Sequence, residues 1–335
     1  MRSLALSILL AGSLGGCALF APDPVEDAHA AYQAQDFFEA RELAMKALER
    51  DASDAEALAL LARVQVAMGA GADALLTLGR LAETGGAPED ADLLRAEALL
   101  QTGERDEAGA LLAGRPEAEA HRLRALAAVQ NDDPATAARE FLSGREAEGD
   151  KRKLFTAAAS FHLDRGNADG ARYAVGQAQR LAPAAIETLF VSARLAQLDG
   201  RHELAARAYL AILDHTPNDR PAMLGAIKEL DELGRLDLIR PLVTRGRAAY
   251  PDDIAFIYLD ASVHAYEGRW QAARDLLQEH EAEVQGHDDA RGLYGQALLE
   301  LGQVEMARAQ IEPLARRYPG NRVYSELYAR IRAAT

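Results

Sequence analysis

Residues able to do chemistry are few in this chain. A single cysteine, Cys17, closes the run Leu14-Gly15-Gly16-Cys17 among 335 residues. Its thiolate is a soft nucleophile that can accept a lipid group, whereas one cysteine makes neither an intrachain disulfide nor a cysteine zinc site. Gly69-Ala70-Gly71-Ala72-Asp73-Ala74 has the spacing of a dinucleotide fingerprint, but no strand precedes it, so it reads as an interhelical turn. The eight histidines are dispersed and none forms His-Glu-x-x-His. His162 and His264 share a register that packing explains, and His202 and His215 fall in or near turns. Glu279, Glu281 and Glu283 alternate as a solvated helix end does. There is no Gly-Lys pair and no Gly-x-Ser-x-Gly. The expectation is therefore no catalytic centre, no cofactor, no metal and no small-molecule substrate.

Composition narrows the partners. The AVILMFWYC group makes up 49% of the chain but aromatics only 6%, and alanine recurs throughout, which favours close-packed helices over sheet. The formal charge of −15 argues against a nucleic-acid ligand, which needs a basic face. The acidity is uneven. Residues 17–150 hold 12 basic and 27 acidic side chains, and residues 151–335 hold 24 and 25.

The N-terminus has the layout of an export signal: Arg2, an apolar run from Leu4 to Leu14, then small residues. That run is shorter than the ~20 residues that span a bilayer. Ending on cysteine, it resembles a bacterial lipobox. The resemblance implies cleavage of residues 1–16, lipidation of Cys17 by diacylglyceryl and palmitate-type acyl chains, and a short tether over 17–24 that contains Pro22 and Pro24. Ala18, standing where Asp would retain such a protein at the inner membrane, implies the outer membrane of a Gram-negative envelope, facing the periplasm.

A repeat runs through the remainder. Ala40, Ala74, Ala108, Ala137, Ala171, Ala205, Ile239, Ala273 and Ala307 are separated by 34 residues at every step except the third, which is 29. Twelve residues before each stands Ala28, Ala62, Ala96, Ala125, Ala159, Ala193, Ile227, Ala261 or Gly295. Five before stands glycine, apart from Gln35 and Asp132. Twelve after stand Pro183, Pro217, Pro251 and Pro319. Two helices of about a dozen residues would meet at the small side chains, turn at the glycine and restart at the proline. Repeat 3 is five residues short and runs into Gly114-Arg115-Pro116, which predicts a bend or hinge over 113–118.

The pattern resembles the tetratricopeptide repeat, the 34-residue helix–turn–helix unit. It departs from that family in lacking the usual Trp of the first helix, where Leu58, Phe155, Leu189, Met223 and Ile257 stand. The resemblance implies an all-α fold: a right-handed superhelical solenoid of about nine repeats, with repeats 1–3 over 25–117, repeats 4–9 over 118–321 and a capping helix over 322–335. Val323, Leu327 and Ile331 are expected on the packed face of that cap.

Such a solenoid offers a concave groove lined by its first helices. The family's groove positions, carried onto repeats 5–8, fall on Lys153, Thr156, Ser160, Phe190, Arg194, Gln197, Leu224, Lys228, Asp231, Tyr258, Ser262 and Tyr266. Phe190, Tyr258 and Tyr266 could bury a partner's apolar side chain, and Arg194 and Lys228 could meet its carboxylates. The alternative is that several are packing or solvated residues. The family's carboxylate clamp needs first-helix asparagines, and the four here, Asn131, Asn167, Asn218 and Asn321, fall at turns or caps. A repeat array behind a lipobox resembles the tight-adherence (Flp) pilus assembly lipoproteins. It implies a non-enzymatic scaffold for protein or peptide partners in a pilus or secretion machine. Outer-membrane protein insertion, peptidoglycan synthase activation and polysaccharide export remain open beside it.

Overall fold

The computed structural model describes residues 23–334. The expected signal segment and Cys17, the expected lipidation residue, lie outside the described residues. Among the described residues every regular element is a helix.

The chain divides into two compact units, with the boundary between Ala157 and Ala158. The first unit holds α1 (Pro24–Gln33), α2 (Phe37–Arg50), α3 (Ala55–Ala67), α4 (Gly71–Thr84), α5 (Ala91–Thr102), α6 (Arg105–Leu112), α7 (Ala118–Gln130) and α8 (Pro134–Glu146). The boundary falls inside α9 (Arg152–Asp164). The second unit continues with α10 (Ala168–Leu181), α11 (Ile186–Leu198), α12 (His202–His215), α13 (Arg220–Glu232), α14 (Leu236–Ala249) and α15 (Ile254–Tyr266). It closes with α16 (Trp270–Glu279), α17 (Glu281–Gln285), α18 (Asp288–Glu300), α19 (Val304–Arg317) and α20 (Arg322–Ala333).

The small-residue columns are the packing seam. Ala28, Ala62, Ala96, Ala125, Ala193 and Ala261 on first helices, and Ala40, Ala74, Ala108, Ala137, Ala205 and Ala273 on second helices, have no solvent exposure. At Gly295 a methyl group would sit 2.5 Å from Ile311, so the backbone there has approached to the limit. Leu78, Leu112, Phe141, Val175, Tyr209, Val243, Leu277 and Ile311, four residues past the second column, are all buried.

The turns explain the glycine column. Gly69, Gly103, Gly166, Gly200, Gly234, Gly268 and Gly302 all have positive φ, and so do Gln35 (62°) and Asp132 (54°). The left-handed residue lets two later amides return to the helix: Gly200 N donates to Gln197 O at 3.0 Å and Arg201 N to Ala196 O at 2.8 Å. At Asp132 the same pair runs from Asp132 N to Val129 O and from Asp133 N to Ala128 O.

Two local expectations are corrected. Pro183, Pro217, Pro251 and Pro319 lie in the turn after a second helix and do not open the next one. They stop a helix, since Ala182, Thr216, Tyr250 and Tyr318 are its C-caps. In α20 the packed residues are Tyr324, Leu327 and Ile331, while Val323 is 59% exposed. The stripe that faces α19 and α18 begins one residue later than expected. α6 has only eight residues, and Gly114 after it has φ of 73°. The segment that follows is tied down: Arg124 donates to Leu112 O at 2.8 Å and Arg115 O at 3.0 Å, and Arg115 pairs with Asp92 and Glu117 at 3.2 Å each.

Candidate functional site

On each first helix one face looks away from the second helices, because residues spaced by 3, 4 and 7 share a side of an α-helix. In the first unit that face is self-neutralised. His29 contacts Glu56 at 3.2 Å and Arg63 pairs with Asp90 at 2.6 Å, each bridging neighbouring first helices. Arg122, 5% exposed, lies between Glu97 (2.7 Å) and Glu119 (2.6 Å), and Lys153 reaches Glu97 at 3.5 Å. Burial would push the Glu97 carboxyl up, but Arg122 and Lys153 outweigh it and hold it below the ordinary range. Lys153 is thus engaged by the protein itself. Beside it, Thr156 donates back to Arg152 O and Lys153 O.

The second unit differs. Ser160 is half-buried, and Arg194 is held by Asp164 at 2.5 Å. Phe190 packs edge-on against Tyr209, with centroids 6.1 Å apart, and Leu224 and Tyr258 are also partly buried. The Tyr258 ring lies 5.8 Å from the His287 ring, and burial raises its phenol pKa. Ser262 donates to Tyr258 O at 2.8 Å. Lys228 and Asp231 are exposed, and Lys228 forms no ion pair among the described residues. Tyr266 is 79% exposed and Leu198 48%. The expected residues therefore sort into three groups: Phe190, Leu224 and Tyr258 as a half-buried apolar row, Arg194 and Ser262 with partners inside the chain, and Lys228 and Tyr266 presented to solvent.

Gln197 belongs to a network that the groove reading did not anticipate. Its Nε2 donates to Glu229 at 2.7 Å, its Oε1 accepts from Tyr209 at 3.1 Å, and His202 Nδ1 lies 2.8 Å from the second Glu229 oxygen. Glu229 is 1% exposed. A buried carboxylate with both oxygens engaged fixes the α11–α12–α13 junction. It is isolated from solvent and positions Gln197, which is then not free for a partner. Its signal is visible in the register: at steps of one repeat stand Ala30, Val64, Ala98, Ala127, Phe161, Leu195, Glu229, Val263 and Ala297, a single acid in an apolar column.

A cavity of about 530 Å³ lies on the opposite side of α11, between α10 and α12. Arg172, Val175, Gly176, Ser192, Arg201 and Leu204 are among its lining residues, and none of the expected groove residues reaches it. Among the described residues no group of three or more His, Cys, Asp or Glu could hold a metal ion. No described helix is long and apolar enough to cross a membrane.

These features define an all-α array of helix–turn–helix repeats with a tetratricopeptide-like fold. The tetratricopeptide repeat family profile matches residues 264–331, which spans α15 to α20. No curated protein matches the chain. Among solved structures, that of PilW, described as a widely conserved type IV pilus biogenesis factor, is similar with a TM-score of 0.52 at 15% identity, covering 63% of this chain and 97% of that one. The repeat domain of P58(IPK) (17% identity, TM-score 0.31, covering 93% and 97%) and a tetratricopeptide repeat protein from Parabacteroides merdae (12%, 0.37, covering 82% and 97%) are also similar.

Proposed function

We propose that this chain is a non-enzymatic interaction scaffold that captures a protein or peptide segment on the exposed face of α11, α13 and α15. The observation that carries this reading is Tyr266, 79% exposed at the end of α15, and Leu198, 48% exposed at the end of α11, on helices that also carry Tyr258 and Phe190 of the half-buried row Phe190, Leu224 and Tyr258. Exposed aromatic and apolar groups beside a partly buried row are what a partner's side chains desolvate most profitably. Lys228, exposed and without an ion pair among the described residues, supplies a cation to that face.

The scaffold is proposed to be held in the Gram-negative envelope by lipid on Cys17, at the outer membrane. The machine it serves is proposed to be a Flp or type IV-like pilus or a secretion system. The lipobox-like run followed by a repeat array supports this, and a role in type IV pilus biogenesis is stated for PilW, which shares the fold.

Photocrosslinking in whole envelopes tests the reading. A photoreactive residue at Tyr266 is expected to capture a secretin, prepilin or pilus-assembly protein. The same residue at Leu238, 37% exposed on a second helix, is expected to capture none. Lys228→Glu with Leu198→Ala should reduce capture by the probe at Tyr266 about tenfold or more without changing helicity. Products with outer-membrane insertion, peptidoglycan or polysaccharide-export components would move the scaffold to another machine. Capture at Leu238 and none at Tyr266 would place the docking face elsewhere. Cys17→Ala should release the chain from membranes or leave it unprocessed, and unchanged fractionation and mobility would remove the anchor.

A further inference from the structure

The 530 Å³ cavity between α10 and α12 has a cause in the register. Leu142, Gly176 and Leu210 stand at successive intervals of 34 residues. A glycine inside a helix is unfavourable and usually answers a close approach, but a methyl group built on Gly176 meets nothing within 4 Å. Gln179, Ser192 and Ala196 correspond, one repeat later, to Leu213, Ala226 and Leu230, and two repeats later to Arg247, Asp260 and His264. One repeat later Leu210 and Leu230 stand where Gly176 and Ala196 line the cleft, so two of its positions carry less bulk than in the next repeat.

The walls have a defined chemistry. Val175, Leu189, Leu195 and Leu204 supply apolar surface, and Leu204 is 48% exposed at the rim. Arg172 is tied to Asp199 at 2.7 Å, while the exposed Arg201, whose charge also acts on Asp199, is within ion-pair distance of no carboxylate among the described residues. The cleft thus suits a large apolar side chain set among carboxylates, and its volume is in the ~300–1,000 Å³ range of sites that enclose a ligand group. The chain displays such a feature. Phe38 in the first turn of α2 is 73% exposed, and Asp36, Glu39 and Glu42 around it are exposed acids. The acidity of residues 17–150, 27 acidic against 12 basic side chains, adds to the attraction.

We propose that this cleft seats Phe38 of a second copy of the chain, with Arg201 facing the acids that flank it. Each copy carries both halves of the contact, Phe38 in the first unit and the cleft in the second, so copies of this one chain suffice to form it. It uses a face of α11 turned away from the one proposed for partner capture, so the two readings stand or fall separately.

Cysteine crosslinking in envelopes tests it with the full chain. Arg41→Cys beside Phe38 and Arg207→Cys beside Leu204 are introduced into two differently tagged copies, which are co-expressed and treated with a short bismaleimide. Crosslinked heterodimers are expected, and Met306→Cys, on a second helix far along the sequence, should give none with Arg41→Cys. Phe38→Ala, and separately Arg201→Glu, should each lower the product about tenfold or more. Gly176→Leu should abolish it while leaving the melting temperature unchanged or higher, because leucine is what the neighbouring repeats carry there. No product from Arg41→Cys with Arg207→Cys, equal product from Met306→Cys, or persistence in Gly176→Leu would each overturn the proposal. Crosslinks from Arg207→Cys to a different protein alone would assign the cleft another occupant and overturn it as well. Phe38→Ala should leave capture at Tyr266 intact, which separates a failure here from a failure of the docking face.

Discussion

The two compact units treat the same helix face in opposite ways. In the first, charge lies across it and is consumed internally: Arg63 with Asp90, and Arg122 between Glu97 and Glu119 with Lys153 beyond. In the second, the register of Arg122 carries Phe190, Leu224 and Tyr258, while the register of Arg63 and Glu97 carries Arg194, Lys228 and Ser262, of which Arg194 is taken by Asp164 and Lys228 is solvated. A buried ion-pair ladder fixes register but offers a partner nothing that is not already bound. A half-buried apolar row offers area that only a partner can finish desolvating. One repeat template therefore yields a face that holds itself together and a face that is open to a guest.

Breaking the ladder should have the largest effect. Glu97→Ala leaves the Arg122 guanidinium buried with one carboxylate fewer, and removing one partner of a buried pair costs about 3–5 kcal/mol. A double replacement, Glu97→Leu with Arg122→Met, should cost far less, because both desolvation penalties vanish together. Denaturant unfolding of the two variants measures the difference.

Both units hold carboxyls kept low by arginines, Asp199, Asp237 and Asp253 in the second among them, but the buried ladder belongs to the first and the raised Tyr324 phenol to the second. The Glu97 carboxyl is depressed in the folded chain, and so is that of Glu140, where burial is outweighed by bonds from Arg124 and His121. Their contribution is complete above the ordinary value of 4.5 and is lost as pH falls through the folded values. In the second unit the Tyr324 phenol is pushed up to about 12 by burial and by Asp289 and Asp288. A raised phenol value stabilises below its ordinary value of 10.0 and is lost as pH climbs toward the folded one. Trp270 is the chain's one tryptophan and lies in the second unit. On acidification, helical circular dichroism should fall before Trp270 fluorescence changes. Above pH 10 the fluorescence should respond. Coincident acid transitions by both probes would erase the distinction.

A backbone contact inside the second unit ranks next. At Gly246 a methyl group would stand 2.2 Å from the Phe256 ring, which is fully buried and stacked on Tyr250. Gly246→Ala should cost about 1–3 kcal/mol by overpacking. Adding Phe256→Leu should return part of that loss, since the smaller side chain gives the methyl room. An additive double variant in thermal melts would mean that the methyl is accommodated elsewhere.

Most of the fold was legible because the seam demands small residues at one spacing, and a demand repeated nine times is visible. What sequence hid was offset by one or two residues: which side of a turn the proline occupies, and whether Val323 or Tyr324 faces the stack. These depend on the angle at which helices cross, which the spacing leaves free. The candidate face was legible in position more than in availability. Arg194 and Asp164 are 30 residues apart, so their 2.5 Å pairing follows from the stacking offset between repeats and not from either residue's own register. Arg122 and Glu229 were legible as lone charges in otherwise uncharged columns, but their burial depends on partners from neighbouring helices, Glu97 in one case and Gln197 with His202 in the other.

The smallest expected effect tests the rule that produced the register. Gln35 and Asp132 stand where seven other turns use glycine, and both take the left-handed backbone regardless, with φ of 62° and 54°. The turn geometry is therefore set by the helix pair, and the side chain bears the strain. Replacing each by glycine should raise stability, but not equally. A left-handed conformation costs an ordinary L-residue about 1–2 kcal/mol, while aspartate tolerates it better through local hydrogen bonding. Glycine's greater freedom in the unfolded chain takes back part of the gain. Gln35→Gly is thus expected to add about 0.5–1 kcal/mol and Asp132→Gly a few tenths. Both turns lie in the first unit, so Trp270 fluorescence should be indifferent while the helical signal shifts. If Asp132→Gly gained as much as Gln35→Gly, side-chain tolerance would be irrelevant and backbone entropy alone would govern these turns.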